Sequence, residues 1–184
     1  MRNKVELLAP AGSPEGIRAA VQSGAGAVYM GFGMFNARRN AQGFSHDEMA
    51  DAIAYCRARD VKTNITLNIL AGDRELEDAL EDAKFLYEAG ADALIIADVG
   101  VLRMARRYAP KVPVHISTQT SILNHEAANY WADEGAERIV LARELSLEEI
   151  AEIRAKTPKE LEIEAFVHGA MCISYSGRCL ISQY

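Results

Sequence analysis

The sequence predicts an α/β fold of the (β/α)8-barrel type, incomplete, with about seven parallel strands and six helices. Three observations lead there. Short β-rich runs alternate strictly with longer amphipathic segments along all 184 residues. Most β-rich runs are continuously apolar, as strands buried on both faces of a parallel sheet must be. Three amphipathic segments also close on the same device just before a strand, at Gly24-Ala25, Gly90-Ala91 and Gly135-Ala136. Glycine at a helix end accepts the left-handed turn that sends the chain back to the sheet. These glycines lie 66 and 45 residues apart, so each interval fits two βα units.

Taken in order, the predicted strands are Glu6–Ala9, Ala27–Gly31, Lys62–Leu67, Ala93–Ala97, Val114–Thr118, Arg138–Ala142 and Glu162–Val167. Ser13-Pro14 opens the first helix with a capping residue before a proline. Ser45-His46-Asp47-Glu48 and Ser146-Leu147-Glu148-Glu149 read as capping boxes. Leu76, Leu80, Ala83 and Tyr87 form one apolar helical stripe. Strict alternation means right-handed crossovers and a parallel sheet. A doubly wound sheet would carry a glycine-rich loop after a strand, but Gly24-Ala25-Gly26 precedes one. A closed barrel needs eight strands and about 250 residues. Residues 1–184 are therefore expected to be the N-terminal part of a barrel domain, with the remainder of the chain outside it. The first and last strands would be open edges, available for association.

Composition narrows the class. A hydrophobic content of 49% with 25% charged residues fits a globular domain and argues against disorder. Met1-Arg2-Asn3-Lys4 leads straight into Val5-Glu6-Leu7-Leu8 without an apolar signal region, and no run reaches membrane-spanning length, so a cytoplasmic, membrane-free protein is expected. The net charge of −6 gives no whole-domain footprint for nucleic acid. The basic residues Arg103, Arg106, Arg107 and Lys111 read as solvated surface.

Chemistry in such barrels sits at the C-terminal ends of the strands. The residues there are polar: Asn36, Arg38, Arg39 and Asn40 after the second strand, Asn64 and Asn68 on the third, and Asp98 after the fourth. Ser117-Thr118-Gln119-Thr120 follows the fifth, Arg143-Glu144 the sixth and His168 the seventh. Arg38, Asn68, Gln119, Arg143, Glu144 and His168 are the candidate catalytic residues, a set suited to an anionic or polyhydroxylated small molecule. Each also has a capping or loop role open to it, Asp98 as a helix cap and Glu144 as partner to an arginine. Cys56, on the apolar stripe with Met49 and Ile53, reads as a core thiol. His46 and His125 fall in helix first turns and read as solvated, His115 as a satisfied core histidine and Trp131 as helix-to-sheet packing.

The last twenty or so residues are the most specific. Cys172 and Cys179 lie seven apart in a loop leaving a strand, and Gly169 and Gly177 allow the backbone to curl. A thiolate pair suits zinc or an iron–sulfur cluster, with two further ligands from elsewhere. A redox disulfide or a single nucleophilic cysteine are the other readings.

The segment running Glu164, Phe166, Gly169, Cys172, Gly177, Cys179 and Ser182 closely resembles the signature of the collagenase-like peptidase family, peptidases of unknown catalytic type. The resemblance continues in Glu6-Leu7-Leu8-Ala9-Pro10-Ala11-Gly12, Ala27-Val28-Tyr29, Ser117-Thr118-Gln119 and Leu141-Ala142-Arg143-Glu144-Leu145-Ser146, and spans essentially the whole chain. It implies a barrel and a divided function. Some members are called proteases. Others are cytoplasmic RNA hydroxylation proteins acting on tRNA wobble uridine or ribosomal RNA, and related ones hydroxylate quinone precursors. In the hydroxylating members four cysteines hold an iron–sulfur cluster of the [4Fe–4S] type, and prephenate is implicated in the RNA reactions. Cys172 and Cys179 match the first two of those cysteines. The stretch from Glu144 to Tyr184 is most similar to the tRNA-uridine branch. The resemblance therefore implies an iron–sulfur-dependent tRNA hydroxylation protein whose RNA contacts lie in the C-terminal region. A peptidase is the alternative, and a non-enzymatic scaffold a third reading.

Overall fold

A strand, a turn and a helix repeat in the predicted order. In the computed structural model, which describes residues 5–37, 43–169 and 172–179, seven strands form one parallel sheet in sequence order. These are β1 (Leu8–Pro10), β2 (Ala27–Gly31), β3 (Lys62–Leu67), β4 (Ala93–Ile96), β5 (Val114–Ile116), β6 (Arg138–Val140) and β7 (Glu162–Glu164). The crossover helices are α1 (Pro14–Gln22), α2 (His46–Arg57), α3 (Leu76–Ala89), α4 (Val99–Tyr108), α5 (His125–Asp133) and α6 (Leu147–Ala155).

The helix starts follow their capping residues. The Ser13 hydroxyl accepts the Gly16 N–H ahead of Pro14, and both predicted capping boxes, Ser45 with Glu48 and Ser146 with Glu149, are complete. Asp98 and Asn124 cap α4 and α5 by accepting from Val101 and Ala127. At the other ends, Gly24, Gly90 and Gly135 have φ of +89°, +83° and +86°, the left-handed turn that the Gly-Ala repeat implied. Arg57 donates to the Gly90 carbonyl and Arg106 to the Gly135 carbonyl, so part of the sequence's basic surface ties one helix to the end of the next.

One stripe differs from expectation. The buried face of α3 is Ala79, Leu80, Ala83 and Leu86, whereas Tyr87 is 40% exposed. Leu86 turns toward the sheet, leaving the amphipathic Tyr87 at the solvent margin. Strand alternation then separates two interiors. Val28, Met30, Ile65, Leu94, Ile96, Ile116 and Ile139 face the helices, meeting Ile17, Met49, Ile53, Cys56, Leu86, Leu102 and Trp131 in one buried cluster. The residues between them face the concave side, where registers align Tyr29 with Asn64, Thr66 with Ile95, and His115 with Arg138 and then Glu162. His115 is buried as expected, but its Nδ1 has no hydrogen-bond partner among the described residues. No helix among the described residues is long and apolar enough to cross a membrane.

Candidate functional site

The sheet curls far enough that residues following β1 and residues of β7 line one cavity of about 610 Å³ at the C-terminal strand ends. Its polar wall comes from loops that the strand ends deliver. Asn68, just past β3, accepts the Ala37 N–H at 3.0 Å and donates to the Ser117 hydroxyl at 3.1 Å, joining the loops after β2, β3 and β5. Ser117 also accepts the Gln119 N–H at 3.2 Å, which starts a single 3-10 turn over Thr118–Thr120.

The cysteine loop forms the opposite wall, and the loop after β6 holds it. The Arg143 guanidinium donates to the Ser176 hydroxyl at 3.2 Å, the Cys172 carbonyl at 3.3 Å and the Ser174 carbonyl at 3.1 Å. The Arg143 backbone N–H reaches the same Ser176 hydroxyl at 3.2 Å, and the Glu144 carboxylate accepts the Ser176 N–H at 3.0 Å. Burial works against ionising Glu144, but the Ser176 N–H and the Arg143 charge outweigh it and hold its pKa below the ordinary value. Ser121 donates to the Ser176 carbonyl from the β5 side. Ser176, only 1% exposed, is thus the hub of the loop. Beside it Gly177 takes φ +71°, and a methyl group there would run into the Gln119 carbonyl oxygen and the Ser121 hydroxyl. The glycine of the cysteine motif is required twice, by backbone conformation and by close approach.

Of the residues singled out from the sequence, Asn68, Gln119, Arg143, His168, Cys172 and Cys179 line this one cavity. Glu144 is exposed and stands behind the wall, and Arg38 lies outside the described residues. The arrangement gives Arg143, expected to bind an anion, and Glu144 a bracing part. Asp98 is a helix cap, as its alternative reading had it, and accepts the Val101 N–H at 2.9 Å. Cys172 is exposed and Cys179 half-buried, whereas Cys56 is fully buried and its thiol is pushed up to about 11 by burial. Among the described residues no group of three or more His, Cys, Asp or Glu is placed to hold a metal ion. Two cavity features were missed in the sequence. Ser176, between the cysteines, carries no local signal of its role. Glu164 stands out only through the motif, although a carboxylate on a strand otherwise expected to be apolar is itself a signal.

This geometry has relatives. The chain is 44% identical over 182 residues to tRNA hydroxylation protein P1 of Bacillus subtilis, covering 98% of this chain and 42% of that protein. It is 41% identical over 181 residues to the 23S rRNA 5-hydroxycytidine C2501 synthase of Escherichia coli, covering 98% of this chain and 27% of that one. The chain thus spans less than half the length of these relatives. A solved U32 peptidase superposes with a TM-score of 0.74 at 14% identity, over 88% of this chain and 68% of that one, which establishes the shared barrel-like fold. The model of peptidase family U32 matches residues 12–184, from the loop after β1 through the whole cysteine segment, and the chain belongs to that family.

Proposed function

We propose that this chain is the cysteine-bearing barrel part of an RNA hydroxylation protein acting on tRNA uridine. The observation that carries the reading is the braced loop: Cys172 and Cys179 are presented by one wall of a cavity whose other walls are amide, hydroxyl and aromatic groups, including Asn68, Ser117 and Tyr29. A cavity of about 610 Å³ falls in the range of small-ligand sites and accommodates an extruded nucleobase together with a small co-substrate. Identity above 40% to proteins named for tRNA and rRNA hydroxylation supports the same reading.

Cys172 and Cys179 would hold two corners of an iron–sulfur cluster, the remaining ligands lying outside the described residues. When bound, the cluster supplies one-electron redox chemistry. The protein's own residues do the rest. Arg143 and Glu144 fix the loop, and Asn68 and Ser117 orient a polar ligand. A carboxylated co-substrate such as prephenate would have to use donors other than the three Arg143 contacts already made to the loop.

The test is anaerobic purification of the full-length protein, with iron and sulfide analysis, alongside mass spectrometry of tRNA from a host lacking its own hydroxylation proteins. Iron-loaded protein and restored uridine hydroxylation are expected, both abolished by Cys172→Ser or Cys179→Ser. Iron-free protein that leaves tRNA unmodified and cleaves peptides would establish the peptidase reading instead.

A further inference from the structure

Below the cavity, the concave face of the sheet carries charge where branched hydrocarbon is usual. The Arg138 side chain, 9% exposed, donates to Glu162 at 2.7 Å, to Glu6 at 2.9 Å and to Glu164 at 3.3 Å. Lys62 pairs with the other oxygen of Glu6 at 3.0 Å. His115, in register with Arg138, is pushed down to about 3 by burial and by the Arg138 charge, so it is neutral. Three carboxylates therefore face two cations. The shorter Arg138 contacts go to Glu162 and Glu6, and the longest to Glu164.

Glu164 alone of this cluster also lines the cavity, among the described residues. It projects from β7 on the same face as Val140, its register partner and another lining residue. Burial first, then the Glu6 and Glu162 charges, outweigh Arg138 and raise its pKa.

We propose that Glu164 is a ligand-contacting residue of the cavity, its carboxyl group set at the floor against the bound base, with Arg138 as its positioning residue. The proposal rests on the nucleobase reading of the cavity. It implies that the site disfavours an anionic group at that depth, since an anion there would meet a carboxyl group already crowded by Glu162 and Glu6.

The experiment uses full-length protein with 13C-labelled glutamate, the Glu164 resonance being assigned by its loss in Glu164→Gln. A uridine-containing anticodon stem–loop RNA is the probe. RNA addition is expected to shift the Glu164 resonance. Glu164→Gln, which keeps the side chain's length and an oxygen acceptor, should bind the RNA within about threefold of wild type. Glu164→Ala should bind about tenfold more weakly, the loss of one buried hydrogen bond. Thermal unfolding of both variants separates binding loss from misfolding. An unshifted resonance with RNA, or equal binding by wild type and Glu164→Ala, would each overturn the proposal. Because none of these readouts uses turnover, RNA that binds through Glu164 but is never hydroxylated would retire the hydroxylase reading alone.

Discussion

Replacing Arg143 by alanine tests whether the loop after β6 holds the cysteine wall in place. The variant deletes three hydrogen bonds, to the Ser176 hydroxyl and to the Cys172 and Ser174 carbonyls, and leaves the Glu144 contact to the Ser176 N–H intact. The three distances are 3.1 to 3.3 Å, longer than the best charge-assisted bonds, and the guanidinium is partly exposed. Each bond is therefore placed near the low end of its range, about 0.7 kcal/mol, for a total of about 2 kcal/mol. At 1.4 kcal/mol per decade, the open population of the loop should rise about 30-fold. Native-state hydrogen exchange reads this directly at two amides: Ser176, bonded to Glu144, and Arg178, bonded to the Tyr175 carbonyl at 3.0 Å. Both should exchange faster by about that factor while β3 and β4 amides keep their rates. An acceleration below about threefold, or equal acceleration in loop and core, would refute the bracing role.

The other predictions concern one glycine, one carboxyl and two thiols. Gly177→Ala combines a left-handed backbone with a clash against Gln119 and Ser121, and should cost about 2–4 kcal/mol in denaturant melts. Asp82 is raised from 3.8 to about 6 by burial first, with Asp78 and Glu81 adding to it against the opposing pull of His46. The folded state thus holds this proton more tightly than the unfolded chain, and stability falls as pH rises from about 4 through about 6. After discounting for partial exposure, Asp82→Asn should stabilise the fold by about 1 kcal/mol at pH 7.5 and by nothing at pH 3.5, read by urea midpoints at the two pH values. Alkylation of native protein near pH 8 should modify Cys172 within minutes and spare Cys56, whose thiol is buried and pushed up to about 11; modification of Cys56 without unfolding would contradict its core placement.

Much of the fold was legible because its signals are local. The β2 and β3 boundaries match the structure at both ends, since turn glycines or charged residues bracket their apolar runs. The later strands end earlier than expected, β5 at Ile116, where Ser117 starts the 3-10 turn, and β7 at Glu164, where the chain leaves the ladder for the cavity wall. Those overrunning residues, Ser117 and Thr118 on one side and Phe166 and Val167 on the other, are lining residues. The site was legible as a rim of strand ends but not as a mechanism of assembly. Arg143 finds Ser176 33 residues downstream, and Arg138 finds Glu6 132 residues upstream, distances over which no periodicity or capping rule reaches.

The charged floor accounts for how an open sheet keeps its curl. Among the described residues β1 and β7 do not pair, so no backbone ladder ties the two ends of the sheet together. Apolar side chains facing such a gap would hold it only through contact area, which is indifferent to direction. Arg138 instead reaches from β6 to Glu6, just ahead of β1, while holding Glu162 and Glu164 on β7, and so fixes the first strand relative to the last two. Burying such a cluster is expensive, and an apolar replacement of the whole set could match its stability. Removing Arg138 alone is different: it strands carboxylates in a half-buried interior, at a cost of about 3–5 kcal/mol. The same guanidinium sets the position of the carboxyl group at the cavity floor. The curl of the sheet and the position of the Glu164 carboxyl group therefore depend on one side chain, and a substitution that loosens the first must change the second.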